Sequence, residues 1–306
     1  MNTELEQIVT EVGKVVKGKD QVIRKVLAAV LAGGHVLLED IPGVGKTTLA
    51  MALGKALELE YRRMQFTPDV LPSDIVGFTM YNSGTREFEY KKGAIFCNLF
   101  LADELNRTSS KTQSALLEVM EEAKVTVDGV SHPLPMPFTV IATENPFGSS
   151  GTQRLPESQL DRFLICLSVG YPSREAAVEI LKNSAGSGLE QVQSVMTTER
   201  FLELRKQAET LHVSNSIYEY LVKLTEATRK HPHIALGVSP RGGIALLKMA
   251  RAMALMRDGE YVIPEDVLAV IDDVWRHRIH LNARARAEGM DVSGIIAEIT
   301  ERIRAV

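Results

Sequence analysis

Two cysteines in 306 residues, Cys97 and Cys166, are too few and too far apart for a disulfide framework, and neither belongs to a CxxC pair that could hold zinc. Both sit in apolar segments, as core thiols of a reduced protein do. Charge of one sign is also missing. Thirty-five Lys and Arg face 39 Asp and Glu for a net charge of −4, so no global field draws the chain to nucleic acid or anionic lipid, although a local basic patch stays open. Long apolar runs are absent. The richest, Val26 to Val36, is broken by Gly33, Gly34 and His35 and is too short to span a bilayer, so no membrane insertion is expected. Met1 to Lys19 shows no basic stretch leading into an apolar one, and the expected location is cytoplasmic. No repeat of solenoid or propeller period is visible. What remains, 45% hydrophobic and 24% charged, is the composition of an ordinary globular chain long enough for about two domains.

Before a Ser- and Gly-rich stretch at Asn183 to Gly188, short apolar runs alternate with helical patterns. His35 to Glu39, Arg62 to Phe66, Leu99 to Ala102, Phe138 to Thr143 and Phe163 to Val169 read as strands, which predicts an α/β layer with a parallel sheet flanked by helices. After it, Thr198 to Leu211, Ser216 to Arg229, Pro240 to Arg257 and Pro264 to Ile279 carry helical periodicity and predict a small all-α domain. The expected division is 1–182 and 189–306.

The first strand runs into Asp40-Ile41-Pro42-Gly43-Val44-Gly45-Lys46-Thr47-Thr48 and then into the helix-forming Leu49-Ala50-Met51-Ala52-Leu53. A glycine loop between strand and helix turns backbone N–H groups toward one point, and the helix N-terminus adds positive potential: a phosphate cradle. In that arrangement Lys46 reaches the β- and γ-phosphates of ATP and the Thr47 hydroxyl coordinates Mg2+. Asp40 occupies the place of the usual first glycine and is expected where the loop leaves the sheet. Leu99-Phe100-Leu101-Ala102 ends in Asp103-Glu104. Two acids at the carboxyl end of a buried strand are costly unless they face a cation or a wet crevice. Asp103 suits the outer shell of magnesium and Glu104 the polarisation of an attacking water. Asn145 follows the Phe138 to Thr143 strand, where its amide could hold that water or the γ-phosphate. Arg162 precedes the last strand, and Arg241 opens a helix of the second domain. Each is unremarkable alone; in this order they form the pattern of a ring ATPase.

With these residues in place the sequence resembles the AAA+ superfamily of P-loop NTPases and, within it, the MoxR family. The resemblance is carried by Gln65-Phe66-Thr67-Pro68-Asp69, Leu71-Pro72-Ser73-Asp74-Ile75, Leu101-Ala102-Asp103-Glu104-Leu105-Asn106-Arg107, Ala142-Thr143-Glu144-Asn145-Pro146 and Leu155-Pro156-Glu157-Ser158-Gln159-Leu160-Asp161-Arg162-Phe163. It implies a lid as the second domain and a homo-oligomeric, usually hexameric, ring with ATP and Mg2+ between subunits. It assigns Lys46 and Thr47 to Walker A, Asp103 and Glu104 to Walker B, Asn145 to sensor 1, Arg241 to sensor 2 and Arg162 to the arginine finger. Val16 to Gly18 becomes the adenine-contacting segment. Members are chaperone-like remodelling ATPases paired with proteins bearing von Willebrand factor A domains. Glu144 stands where the family often has Gln, and Phe147-Gly148-Ser149-Ser150 replaces the usual residues before Gly151-Thr152.

Phe78 to Tyr90 alternates in polarity around Asn82-Ser83-Gly84-Thr85, and Val125 to His132 turns at Asp128-Gly129; both read as hairpins. The resemblance identifies them with the helix-2 insert, about 75–92, and the pre-sensor-1 hairpin, about 123–137, devices that face a pore or client. Between them Ser110 and Gln113 suggest a capping box ahead of an apolar face of Ala115, Leu116, Val119, Met120 and Ala123. His231, His233, His277 and His280 lack cysteine or acidic partners at ligand spacing, and the basic run from Arg276 to Arg286 lacks interleaved aromatics, so neither a metal nor a nucleic acid is expected there. The expected function is ATP hydrolysis coupled to remodelling of a client. An ATP-gated adaptor with slow hydrolysis, or a chelatase-like or DNA-associated motor, is the alternative.

Overall fold

The computed structural model describes residues 2–41, 43–145, 155–182 and 188–304. Helices α1 (Thr3–Gly13) and α2 (Asp20–Leu31) lead into β1 (Val36–Glu39), α3 (Lys46–Ala56) and β2 (Tyr61–Gln65). A short α4 (Pro72–Val76) precedes the hairpin β3 (Gly77–Asn82) and β4 (Glu87–Lys92). Then come β5 (Leu99–Asp103), α5 (Ser110–Glu122), a second hairpin β6 (Lys124–Val127) and β7 (Val130–Pro133), β8 (Thr139–Glu144), α6 (Glu157–Leu160), β9 (Ile165–Leu167) and α7 (Arg174–Lys182). Beyond these the chain is helical: α8 (Thr198–Thr210), α9 (Asn215–Lys230), the short β10 (Ile234–Leu236), α10 (Pro240–Met256), α11 (Pro264–Leu268), α12 (Ile271–Trp275), β11 (His280–Leu281), α13 (Ala283–Ala287) and α14 (Val292–Arg302).

The central sheet is parallel, in the order β2-β5-β8-β1-β9. Side-chain alternation divides its core in two. Leu38, Leu99, Leu101 and Ile141 point to the face covered by α1, α2, α3 and the later helices, while Leu37, Phe100, Ala102 and Val140 meet Leu116, Leu117 and Met120 of α5. The later helices join the first cluster through Phe201, Met249 and Trp275, whose indole N–H donates to the Gly242 carbonyl at 3.0 Å. Because β1 lies between β8 and β9, the loop after β1 leaves the sheet at its topological switch, where α/β folds place ligands.

Several expectations change in detail. The cap of α5 is Ser109, which accepts from the Thr112 N–H; Ser110 is already helical, and Gln113 turns inward to donate to the Leu105 and Thr108 carbonyls. The apolar face gains Leu117, which is fully buried. The helix expected over Pro264 to Ile279 is two, α11 and α12, interrupted where Val270 leaves helical geometry. The last strand keeps only residues 165–167; at its amino end the carbonyls of Phe163 and Leu164 are taken by the Arg278 guanidinium. Arg278 is buried, so the basic run from Arg276 is in part an internal clamp. The pairing of β10 with β11 is too short to announce itself as a sequence pattern. The proposed division near residue 183 falls on residues outside those described.

His35, just before β1, is buried and ties three elements: its Nδ1 accepts from the Val140 N–H at 2.9 Å, so Nε2 carries the proton and donates to the Met120 carbonyl at 2.8 Å. Burial, set against the Met120 bond, pushes its pKa down to about 4 from 6.5. Between those values the unfolded chain binds a proton that the folded chain refuses. Stability is therefore full above about pH 6.5 and falls as pH drops toward 4, by about 3 kcal/mol for this group. His35→Gln keeps a donor and an acceptor but does not titrate. Urea melts at pH 7 and pH 5 should show a larger loss for the parent than for the variant; equal losses would remove His35 from the account.

Candidate active site

Gly43 and Gly45 take φ of 84° and 93°, the left-handed region that favours glycine, and a Cβ at either would project into open space. Gly45 caps α3, whose first residue is Lys46. At those two positions the loop therefore carries no side chain into the space beside it. Its departure from the sheet is pinned by Asp40. That carboxylate accepts from the Ile41 N–H at 2.8 Å and the Ser168 hydroxyl at 2.9 Å, and also from the Gly170 N–H. Burial opposes its charge, but those donors with Lys46 hold its carboxyl below the usual range. The Lys46 ammonium, half-buried, donates to the Asp40 carbonyl at 2.8 Å. Burial lowers its pKa against the pull of Asp40, Asp103 and Glu104.

Two lobes meet at this loop. One, of about 380 Å³, is lined by Lys46, Thr47, Arg63, Asp103, Glu104 and Asn145, among others. The other, of about 430 Å³, is lined by Val15, Val16, Pro172, Ile180 and Leu181, with Lys14, Lys17, Lys19, Glu179 and Gln191 also on its border. They share Gly43, Gly45 and Thr48, and Val44 faces the second. The first lobe offers a cation, hydroxyls and carboxylates, and the second is the more apolar of the two with a charged border: the division a nucleoside triphosphate needs. Gly18 stands behind the second lobe at φ 69°, 3.3 Å from the Ala176 Cβ if it carried a Cβ of its own. Pro42 lies outside the described residues, as do Pro146 to Arg154 with the variant segment after Asn145.

The acidic pair has partners that the sequence did not suggest. Asp103 Oδ1 accepts from the Thr143 hydroxyl at 2.7 Å, and Oδ2 accepts from Arg63 Nη2 at 2.7 Å and Nε at 3.1 Å. Thr143 Oγ1 in turn accepts from the Glu104 N–H at 2.8 Å, so one hydroxyl orders both acids. Glu104 adopts φ 56°, ψ 48°, which turns the chain out of β5, and Arg107 Nη1 donates to its Oε2 at 2.6 Å. Asn145 follows β8, with its carbonyl taken by the Asn106 amide at 3.3 Å. Arg63 and Gln65 are i,i+2 on the same face of the edge strand, and it is the register of Gln65 with Asp103 that brings Arg63 within reach.

Arg162 and Arg241 do not line this cleft among the described residues. They border a separate cavity of about 240 Å³ with Gly34, His35 and Glu121, at the amino ends of the strands. Four residues of β1, rising about 3.3 Å each, separate that end from the glycine loop. There Glu121 meets both: its Oε2 lies 3.4 Å from Arg162 Nε, and its Oε1 accepts from Arg241 Nη2.

Comparison with known proteins bears on the family and the fold. Residues 35–165 match the ATPase family associated with various cellular activities (AAA), and residues 226–299 match the AAA lid domain. Chaperone MoxR1 of Mycobacterium tuberculosis is 39% identical over 308 residues, covering 98% of this chain and 81% of its own. The protein YeaC of Bacillus subtilis is 46% identical over 301 residues, covering 98% and 94%. A crystal structure of a candidate ATPase from Cytophaga hutchinsonii superposes with a TM-score of 0.92 at 39% identity, covering 100% of this chain and 96% of that one.

Proposed function

The chain belongs to the MoxR family of AAA+ ATPases, and from that premise we propose that it hydrolyses ATP at the interfaces of a homo-oligomeric ring and uses the cycle to remodel a partner protein. The observation that carries the reading is the division of the catalytic set. Lys46, Thr47, Asp103, Glu104 and Asn145 converge on one cleft, while Arg162 and Arg241 face away from it at the other end of the sheet. A subunit built this way supplies a cradle to one neighbour and arginines to the other.

Within the cleft, the loop N–H groups and Lys46 bind the phosphates, and Val16 with Ile180 and Leu181 encloses the base. Thr47 and Asp103 are the residues that would hold magnesium, which when bound neutralises charge on the phosphate oxygens. Asp103 fits that role from the outer shell, because Arg63 fills its Oδ2 and Thr143 leaves Oδ1 one lone pair for a metal-bound water. Glu104 orients and deprotonates a water, and Asn145 steadies it. Arg162 and Arg241 offset the charge that grows on the neighbour's phosphate in the transition state.

The grip of Arg107 on Glu104 favours a second reading, in which hydrolysis is a slow timer on an ATP-assembled adaptor. Steady-state turnover with and without partner separates the two. We further propose a partner bearing a von Willebrand factor A domain, and a client contacted by the first hairpin, where Phe78, Tyr81 and Phe88 are exposed and Tyr81 stacks edge-on to Phe88 at 5.5 Å. The two hairpins touch through Tyr90 and His132, stacked at 4.0 Å, so a load on one is felt by the other. No described helix is long and apolar enough to cross a membrane.

Lys46→Ala tests the cradle. Losing a charged hydrogen bond of about 1.5–3 kcal/mol should weaken ATP binding by roughly ten- to a hundredfold in calorimetry, with the fold intact by circular dichroism. Unchanged affinity would exclude the cradle.

A further inference from the structure

We propose that Glu121 is a positioning residue that holds Arg162 and Arg241 together as one phosphate-facing pair for a neighbouring subunit's site. The proposal rests on the reading that those arginines act across the interface, and it deepens it. Glu121 lies in the last turn of α5, where the helix presents unsatisfied carbonyls and a carboxylate is disfavoured. Its placement there is offset by two guanidiniums, one on each carboxylate oxygen. Two cations brought side by side repel each other, and a shared carboxylate is what lets them converge. A guanidinium has five N–H donors, so pairing with Glu121 leaves donors for a phosphate.

The carboxylate stands on a braced base. His35, buried beneath, donates to the carbonyl of Met120, the residue before Glu121. The arginines are braced as well. Buried Arg278 donates to Asp161 Oδ1 at 2.8 Å and to the Asp161 carbonyl at 3.1 Å, fixing the residue before Arg162. Ser239, the cap of α10 that begins the turn carrying Arg241, reaches Asp161 Oδ2 at 3.5 Å. Asp161, next to Arg162 in the chain, is thus tied to the cap of the helix that carries Arg241, and Glu121 links the two heads.

Glu121 is about half exposed, so its removal should not disturb folding. In Glu121→Ala the dissociation constant for ATP should stay within about twofold, because the cradle is elsewhere, while kcat falls about tenfold as the pair loses its alignment. Mixing experiments fix the direction of action. Mixed with Glu104→Gln subunits, Glu121→Ala subunits should regain activity, since their own cradles then meet intact arginines. Mixed with Arg162→Ala subunits they should not, because every interface lacks part of the arginine side. The opposite pattern, rescue by Arg162→Ala and none by Glu104→Gln, would mean that Glu121 serves its own cradle and would overturn the proposal, as would an unchanged kcat. A control mixture of Arg162→Ala with Glu104→Gln separates the two levels. If that pair restores activity and Glu121→Ala with Glu104→Gln does not, only the role of Glu121 fails; if neither does, the trans reading fails first.

Discussion

Arg162→Ala subunits should bind ATP as tightly as the parent and hydrolyse it at least about a thousandfold more slowly, the worth of an arginine that stabilises transition-state charge from across an interface. Affinity should hold because Lys46 and the glycine loop remain, and Arg162 does not border their cleft. Turnover should collapse because nothing on the same chain replaces it. The parent protein should then show specific activity that rises with concentration as the ring assembles, since an isolated subunit has a cradle and arginines that never meet. Mixed with Glu104→Gln subunits, the variant should regain part of its activity. At some interfaces an Arg162→Ala subunit presents an intact Lys46 and Glu104 to a neighbour whose Arg162 is intact. Activity that is independent of concentration across the assembly range, with no recovery on mixing, would make Arg162 a cation acting within its own chain.

This expectation depends on a relation that the sequence could not supply. Walker-type residues are legible because strand, glycine loop and helix are local: Gly43, Gly45, Lys46 and Thr47 lie within five residues of one another, and their chemistry follows from that spacing. The continuous apolar run of Leu99 to Ala102 likewise reads as a strand buried on both faces, and the alternation of such runs with helical patterns as a parallel sheet. Arg241 is different. Its position at a helix start is readable, but whether it folds back on its own cradle depends on how the later helices pack, which is settled by contacts between residues more than a hundred apart, such as Arg278 with Asp161. Thr143 and Arg63 escaped for a similar reason. A threonine inside an apolar strand reads as a strand former, and an arginine on an edge strand reads as solvated, until register sets them beside Asp103. Glu121 was hidden by its helix, whose apolar face drew the reading toward packing and away from the charges at its end.

The Asp40 substitution in the glycine loop shows how a departure from a motif can be absorbed. A glycine there would leave the loop's exit to backbone alone. Asp40 instead reaches across the switch point to Ser168 and Gly170 beyond β9, joining the loop to the far side of the sheet while its own carbonyl holds Lys46. The cradle therefore depends on the strand order, in which β1 neighbours both β8 and β9, as much as on the glycines.

Glu104→Gln should retain ATP binding and lose turnover by on the order of a hundredfold or more, the usual contribution of a positioned general base. Glu104 sits at φ 56°, a region that costs a non-glycine residue about 1–2 kcal/mol, and its N–H is fastened to Thr143, whose hydroxyl also holds Asp103. A strained turn kept in place by such a bond is expected where a carboxylate must leave the sheet and enter a cleft. Glutamine has the same length and keeps an acceptor for Arg107, so the turn, the Thr143 bridge and the Asp103 geometry should all survive; what is lost is the capacity to take a proton from water. Single-turnover chemistry should slow as much as steady-state turnover, which places the loss in the chemical step and not in product release. Because the variant holds ATP without consuming it, it should also lengthen the life of the assembled ring and of any partner complex, and a pull-down with it against the parent should enrich the same protein in the presence of ATP and release it in ADP. Parental turnover by the purified variant would remove Glu104 from the chemistry. Loss of ATP binding would show instead that its carboxylate, held by Arg107, serves to shape the cradle.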